Sequence, residues 1–98
     1  MFDNLDPVLH SQLRLAVMSL LMGLEEAEFV YLKEKTKATS GNLSVQLDKL
    51  LHAKYITIKK SFKGKYPVTK ATITTKGERA FNEYVQALKS YISSSQNL

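Results

Sequence analysis

The sequence predicts an α+β fold, mainly helical, with one two-stranded hairpin, and three features predict it. Apolar residues recur at three- and four-residue steps in separate stretches, the pattern switches to alternation on both sides of a Lys-Gly-Lys-Tyr-Pro turn at residues 63–67, and the helical stretches begin at capping signals. The 98 residues fit a single domain, residues 1–98. That length suffices for one core and is small enough that a second subunit would help to bury apolar surface.

The first helix is expected over residues 7–22. Asp6-Pro7 offers an N-cap followed by proline at the first helical position, where the missing N–H costs nothing. Leu9, Leu13, Ala16, Val17, Leu20, Leu21 and Leu24 then keep helical spacing, and Gly23 suits a helix stop. An apolar surface this broad predicts packing on both the chain's own core and a partner chain. Residues 25–28 form an acidic turn, Phe29 and Val30 a very short strand, and residues 31–37 a brief second helix with Leu32 inward and lysines outward.

Thr39 is an N-cap for the third helix, residues 40–53. Leu43, Leu47, Leu50 and Leu51 follow an i, i+4, i+7, i+8 pattern and are expected to face the core. Ser40, Gly41, Asn42, Ser44, Val45, Gln46, Asp48 and Lys49 make up the opposite, short and polar face. Alternation over residues 55–62 and 69–74 puts Ile56 and Ile58, then Ala71 and Ile73, on one side of a hairpin rich in threonine and lysine. Thr75 and Glu78 match the capping box that opens a fourth helix, reaching about residue 93. Phe81, Tyr84, Val85, Leu88, Tyr91 and Ile92 form its apolar stripe, and residues 94–98 are expected to fray.

Composition excludes several kinds of chemistry. The absence of cysteine removes disulfides, thiolate nucleophiles and Cys-based metal or redox sites. His10 and His52 lie on different expected helices, without the spacing of two ligands on one face. His10 reads as a helix-start or dimer-surface residue and His52 as a last-turn residue favoured by the helix dipole. With no nucleophile beside a base and no phosphate-cradling glycine loop, neither an enzyme nor a cofactor is expected. Hydrophobic residues at 44% and charged residues at 23% are those of a soluble globular chain. No apolar run reaches the roughly 20 residues a membrane span needs, and no signal peptide is visible, so a cytoplasmic location is expected.

Charge is unevenly spread. Residues 1–32 hold Arg14 against five carboxylates, whereas residues 33–76 hold eleven lysines against Glu34 and Asp48. A basic middle third is the electrostatic footprint expected for a polyanion partner, and it also fits a solvated, solubilising surface.

Helix, short strand, helix, helix, hairpin, helix is the order of a winged helix-turn-helix, in which the second helix of the motif enters the DNA major groove and phosphate contacts fix its register. The segments LHSQLRLAVMSLL, TSGNLSVQLDKLLHAKYI and KGKYPVTKATITTKGERAF resemble the small winged-helix transcriptional regulators of the MarR and ArsR type. The resemblance implies a homodimer paired through its first and last helices on a pseudo-palindromic double-stranded DNA operator. Dimer contacts are then expected at Leu9, Leu13, Phe81, Tyr84, Val85, Leu88, Tyr91 and Ile92. The ArsR metal-sensing cysteines are absent, so metal induction is not expected; whether a small-molecule effector exists is not legible.

Asn42 and Gln46, one turn apart, carry amides able to bond adenine N6 and N7 and are the expected base readers. Thr39, Ser40, Gly41 and Ser44 lie at the helix start within reach of phosphate or base, and Val45 suits a thymine methyl. Lys49, Lys63 and Lys65 are expected to neutralise phosphates, with the hairpin, residues 59–70, lying on the DNA backbone. Relatives often carry arginine where Lys65 stands; lysine, a strongly hydrated point charge, suits phosphate contact better than entry into a narrow minor groove. The alternative is a winged-helix protein-interaction module without specific DNA binding.

Overall fold

The computed structural model describes residues 2–96, in the order α1 (Gln12–Leu24), β1 (Glu26–Glu28), α2 (Phe29–Thr36), α3 (Ser40–His52), β2 (Ile56–Lys63), β3 (Tyr66–Ile73) and α4 (Thr75–Gln96). The strands form one antiparallel sheet in the order β1-β3-β2. Leu9, Val17, Met18, Leu21, Leu32, Leu43, Leu50 and Ile56 are the largest side chains sealed in the core beneath it.

Asp6-Pro7 starts a turn rather than the long first helix. The Asp6 carboxylate accepts from Val8 N–H at 2.8 Å, and its carbonyl accepts from Leu9 and His10 N–H. That single turn folds Leu9 back into the core, and α1 begins five residues later than expected, with Ser11 as its N-cap. Gly23 does not end α1. Glu25 takes the left-handed φ of 69° instead, and its carbonyl receives the Ile73 N–H at 2.9 Å, which ties the helix end to β3.

The short strand is Glu26–Glu28, not Phe29 and Val30, which open α2. Only pairing with Thr72, Ala71 and Lys70 of β3 defines β1; its middle residue, Ala27, is buried while the glutamates flank it. Thr39 caps α3 as expected, accepting from Asn42 N–H at 3.1 Å. Leu43, Leu47 and Leu50 pin the helix to the core, whereas Leu51 is 40% exposed, because its position on the helix lies beside that buried stripe rather than within it.

The hairpin is tighter than expected. Lys63 pairs with Tyr66, so Gly64-Lys65 is a two-residue turn, and Gly64 supplies the required left-handed φ of 61°. Pro67 follows within β3 opposite Phe62. Bonded and non-bonded pairs alternate away from such a turn, so the missing N–H of Pro67 faces away from β2, at a level β1 does not reach.

The cap of α4 is Thr74, not Thr75: its hydroxyl accepts from Gly77 N–H at 2.9 Å while donating to the Lys54 carbonyl at 2.8 Å. Gly77 sits where a Cβ would come within 2.2 Å of the Tyr55 carbonyl oxygen. Thr74 and Gly77 therefore seat α4 against the base of β2, one by capping and the other by close approach. The Tyr55 hydroxyl donates to the Asp6 carboxylate at 2.5 Å, and desolvation followed by this bond to the neutral phenol pushes its pKa up to about 12. Helix α4 continues through Gln96, past the residue at which fraying was expected; Asn97 and Leu98 of that tail lie outside the described residues.

Candidate nucleic-acid interface

Seen from its axis, α3 has three faces. The leucine stripe points to the core, and Val45, Asp48 and Lys49 point away from it, all exposed. Ser44 and Asp48 face the hairpin, where with Ile58, Lys60 and Thr69 they line a groove floored by Phe29 and Leu47. Asn42 and Gln46 lie on the flank nearest the start of α1, beside Ser11 and Gln12.

The two amides form one hydrogen-bonded chain with a third residue. Arg14 donates through Nη1 to Gln46 Oε1, and Gln46 Nε2 donates to Asn42 Oδ1 at 3.0 Å. Arg14 is itself held by the Val8 carbonyl, which accepts from Nε at 2.5 Å. A guanidinium only donates, so it fixes which end of the Gln46 amide faces it and, through Gln46, which end of Asn42 is turned inward. Asn42 is exposed and keeps both Nδ2 protons and one Oδ1 lone pair; Gln46 is half-buried with its amide already engaged. Of the two amides expected to read adenine, Asn42 is thus the one with free donors, and Gln46 and Arg14 hold it.

Of the other expected contact residues, Thr39, Ser40, Gly41, Ser44, Val45 and Lys49 are exposed along α3, and nothing lies within 4 Å of where a Gly41 Cβ would stand. Lys65 is exposed at the hairpin turn. Lys63 is not unattached: its Nζ pairs with Glu28 Oε2 at 2.8 Å, and this charge-assisted bond holds the Glu28 carboxyl below its usual range. Lys70 and Glu26, 3.6 Å apart, repeat the arrangement one step along the sheet. These pairs brace the hairpin against β1, and they engage one of the three ammonium groups expected to meet phosphate. The register puts Lys60 on the hairpin face turned towards α3. A strand-alternation argument from the buried Ile56 and half-buried Ile58 would have found it. Asp48, a carboxylate on the outward face with no ion pair among the described residues, is a second residue not singled out from the sequence.

The eight residues expected at a dimer contact separate into two groups. Leu9 and Tyr84 are sealed inside the protomer, with the Tyr84 hydroxyl 3.1 Å from His10 Nδ1, so they belong to the core. The Tyr91 ring packs tilted against Phe2, centroids 5.0 Å apart, and its hydroxyl donates to the Asp3 carbonyl, which binds the N-terminal segment along α4. Ala80, Tyr84, Ala87 and Tyr91 are therefore a seam closed by the chain itself. Phe81, Val85, Leu88 and Ile92 form a second seam at the same spacing, with Phe81 half-buried against the core and Leu88 at 40% and Ile92 at 53% exposure. Leu13 is half-buried against the core.

A polar helix face beside a braced, lysine-bearing hairpin, both mounted on a small helical core, is the arrangement of a winged helix-turn-helix. The chain belongs to the winged helix DNA-binding domain family, whose pattern it matches over residues 13–92. It is 43% identical over 79 residues to the uncharacterized protein MJ0432 of Methanocaldococcus jannaschii, covering 80% of this chain and 85% of that one. Its fold is similar to a transcriptional regulator homologue from Pyrococcus horikoshii, with a TM-score of 0.83, 24% identity and 89% and 86% of the two chains covered. ZitR of Lactococcus lactis, solved in complex with DNA, is similar with a TM-score of 0.65 at 16% identity, covering 97% of this chain and 64% of that one. No helix among the described residues is long and apolar enough to cross a membrane.

Proposed function

We propose that this protein is a dimeric, sequence-specific regulator that inserts α3 into the major groove of a pseudo-palindromic operator. The observation that carries the reading is the Arg14–Gln46–Asn42 chain. It holds an exposed amide in one orientation at the start of α3, and fixed polarity is what base reading requires. Asn42 donates to adenine N7 through Nδ2 and accepts from N6 through the remaining Oδ1 lone pair. Asp48 accepts from cytosine N4 further along the groove; elsewhere on a face meant for phosphate its charge would be repelled. Lys49, Lys60 and Lys65 supply phosphate contacts, and Ser40 and Ser44 shorter ones.

Two copies pair through the open seam of α4, Phe81, Val85, Leu88 and Ile92, which would bring two α3 helices to one face of the duplex. Resemblance to the MarR and ArsR type, a repressor role and a cytoplasmic or nucleoid location belong to this same reading. ZitR, captured with DNA on a similar fold, is consistent with it. Successive rounds of selection from random duplexes test it. A two-fold symmetric consensus containing adenine, with affinity falling about 10³- to 10⁵-fold between 50 and 200 mM salt, is expected for six to ten phosphate contacts. Binding without sequence preference would remove the regulator reading, and a stoichiometric protein complex insensitive to nuclease would favour an interaction module.

A further inference from the structure

The turn at residues 6–10 is tied near both ends of α3. Near the start of the helix, Arg14 bridges the Val8 carbonyl and Gln46, with the Pro7 carbonyl 3.5 Å from its Nη2. Beyond the helix end, the Tyr55 hydroxyl reaches the Asp6 carboxylate across 49 positions. Between the two ties an open cleft separates Pro7 and Val8 from Val45, Lys49 and His52. Leu9 anchors the turn in the core, so the polar ties set how its carbonyls stand towards α3. Tyr55 is itself fixed, its N–H donating to the Leu50 carbonyl and its carbonyl accepting from Thr74 N–H, both at 3.0 Å. The Asp6 carboxylate takes the Tyr55 hydroxyl on Oδ2 and Val8 N–H on Oδ1, and Val8 is the residue whose carbonyl receives Arg14 Nε.

We propose that Tyr55 and Asp6 are positioning residues for base reading: the Tyr55 hydroxyl orients the Asp6 carboxylate, which sets the Val8 carbonyl that aims Arg14 at Gln46 and so fixes the Asn42 amide. The inference rests on the base-reading proposal above. A guanidinium is a rigid planar fork on a flexible stem, so a carbonyl that holds Nε decides where Nη1 points. Packing alone would be served by a phenylalanine at position 55, and the hydroxyl is the part the core does not need. Because neither residue lies on the outward face of α3, their loss changes which base is preferred and leaves the phosphate contacts as they are.

Competition anisotropy with two duplexes tests it: the selected site, and the same site with the adenine read by Asn42 changed to guanine in both half-sites. The ratio of the two affinities is the readout. Tyr55→Phe keeps the ring and both backbone bonds, so it keeps the fold. This variant and Asp6→Ala are expected to lower the ratio about fivefold, the range of one net hydrogen bond. Affinity for the changed duplex should stay within about twofold of wild type, with the same salt slope, since no phosphate contact is lost. Asp6→Asn should keep the ratio, because its oxygen still accepts from Val8 N–H while its amide donates to the phenol oxygen. In an Asn42→Ala background Tyr55→Phe should lower the ratio no further, because residues acting through one chain are not additive. A ratio unchanged in Tyr55→Phe, an equal loss on both duplexes, or a full loss persisting beside Asn42→Ala would overturn the positioning role and leave base reading by Asn42 standing. If selection with wild type yields no site, or wild type binds both duplexes equally, the positioning role falls together with the base-reading proposal.

Discussion

The start of α3 and the tip of the hairpin are both exposed and polar or basic, yet they are built in opposite ways. At α3 the side chains are tied down: Asn42 is held by Gln46, Gln46 by Arg14, and Arg14 by the Val8 carbonyl. On the hairpin, Lys63–Glu28 and Lys70–Glu26 tie two ammonium groups back to β1, while Lys65 in the turn makes no ion pair among the described residues. A group that must tell one base from another gains from fixed polarity, because a wrong base then meets donors and acceptors it cannot satisfy. A group that grips sugar and phosphate faces the same surface at every step and gains nothing from being fixed. On the proposed reading, the contrast gives specificity to the helix and affinity to the hairpin.

The strongest way to break this contrast is to loosen the seat of α3. Leu50 is fully buried beneath it, and Leu50→Ala should cost about 2–5 kcal/mol in a denaturant melt. Lys65→Ala, at the tip, should stay within about 0.5 kcal/mol of wild type in the same melt. Next in size, Asn42→Ala should lose about 1–3 kcal/mol of discrimination at one base position in competition binding. Arg14→Ala should relax the same position without touching DNA, and a shift at any other position would contradict the relay. Asp48→Asn sharpens the account on a different base: the preference for cytosine should weaken by a similar amount while overall affinity rises.

The smallest effect concerns the brace. The folded-state pKa of Glu28 lies below its ordinary 4.5, so the stability it contributes is present above that value and is lost as pH falls through the lower folded value. Hydrogen exchange followed downwards from pH 6 should show the hairpin amides losing protection before those of α3, and Glu28→Gln should abolish that early loss.

Local signals in the sequence carried the elements, and contacts distant in sequence carried what they missed. Thr39, the leucines at 43, 47 and 50, and the alternation around Ile56 and Ile58 each act within one turn or one strand, so α3 and the hairpin were legible. Asp6-Pro7 was a genuine turn signal, but its reach was one turn, because only the core tells Leu9 to fold inward. Two adjacent threonines made the cap of α4 ambiguous by one residue, and the Lys54 carbonyl, twenty positions away, decides for Thr74. β1 exists only because β3 pairs with it. The candidate site divides in the same way: the exposed placement of Asn42 and Lys65 was readable from helix start and turn chemistry. Arg14 joins Gln46 across 32 positions and Glu28 joins Lys63 across 35, and no local pattern announces either pair.

The central claim is that a fixed amide on α3 reads a base, and paired selections of random duplexes with wild type and Asn42→Ala test it most directly. The account predicts a symmetric consensus for wild type that keeps its half-site spacing in the variant and loses its adenine preference at one position per half-site. An unchanged consensus in the variant, or none in wild type, would contradict it.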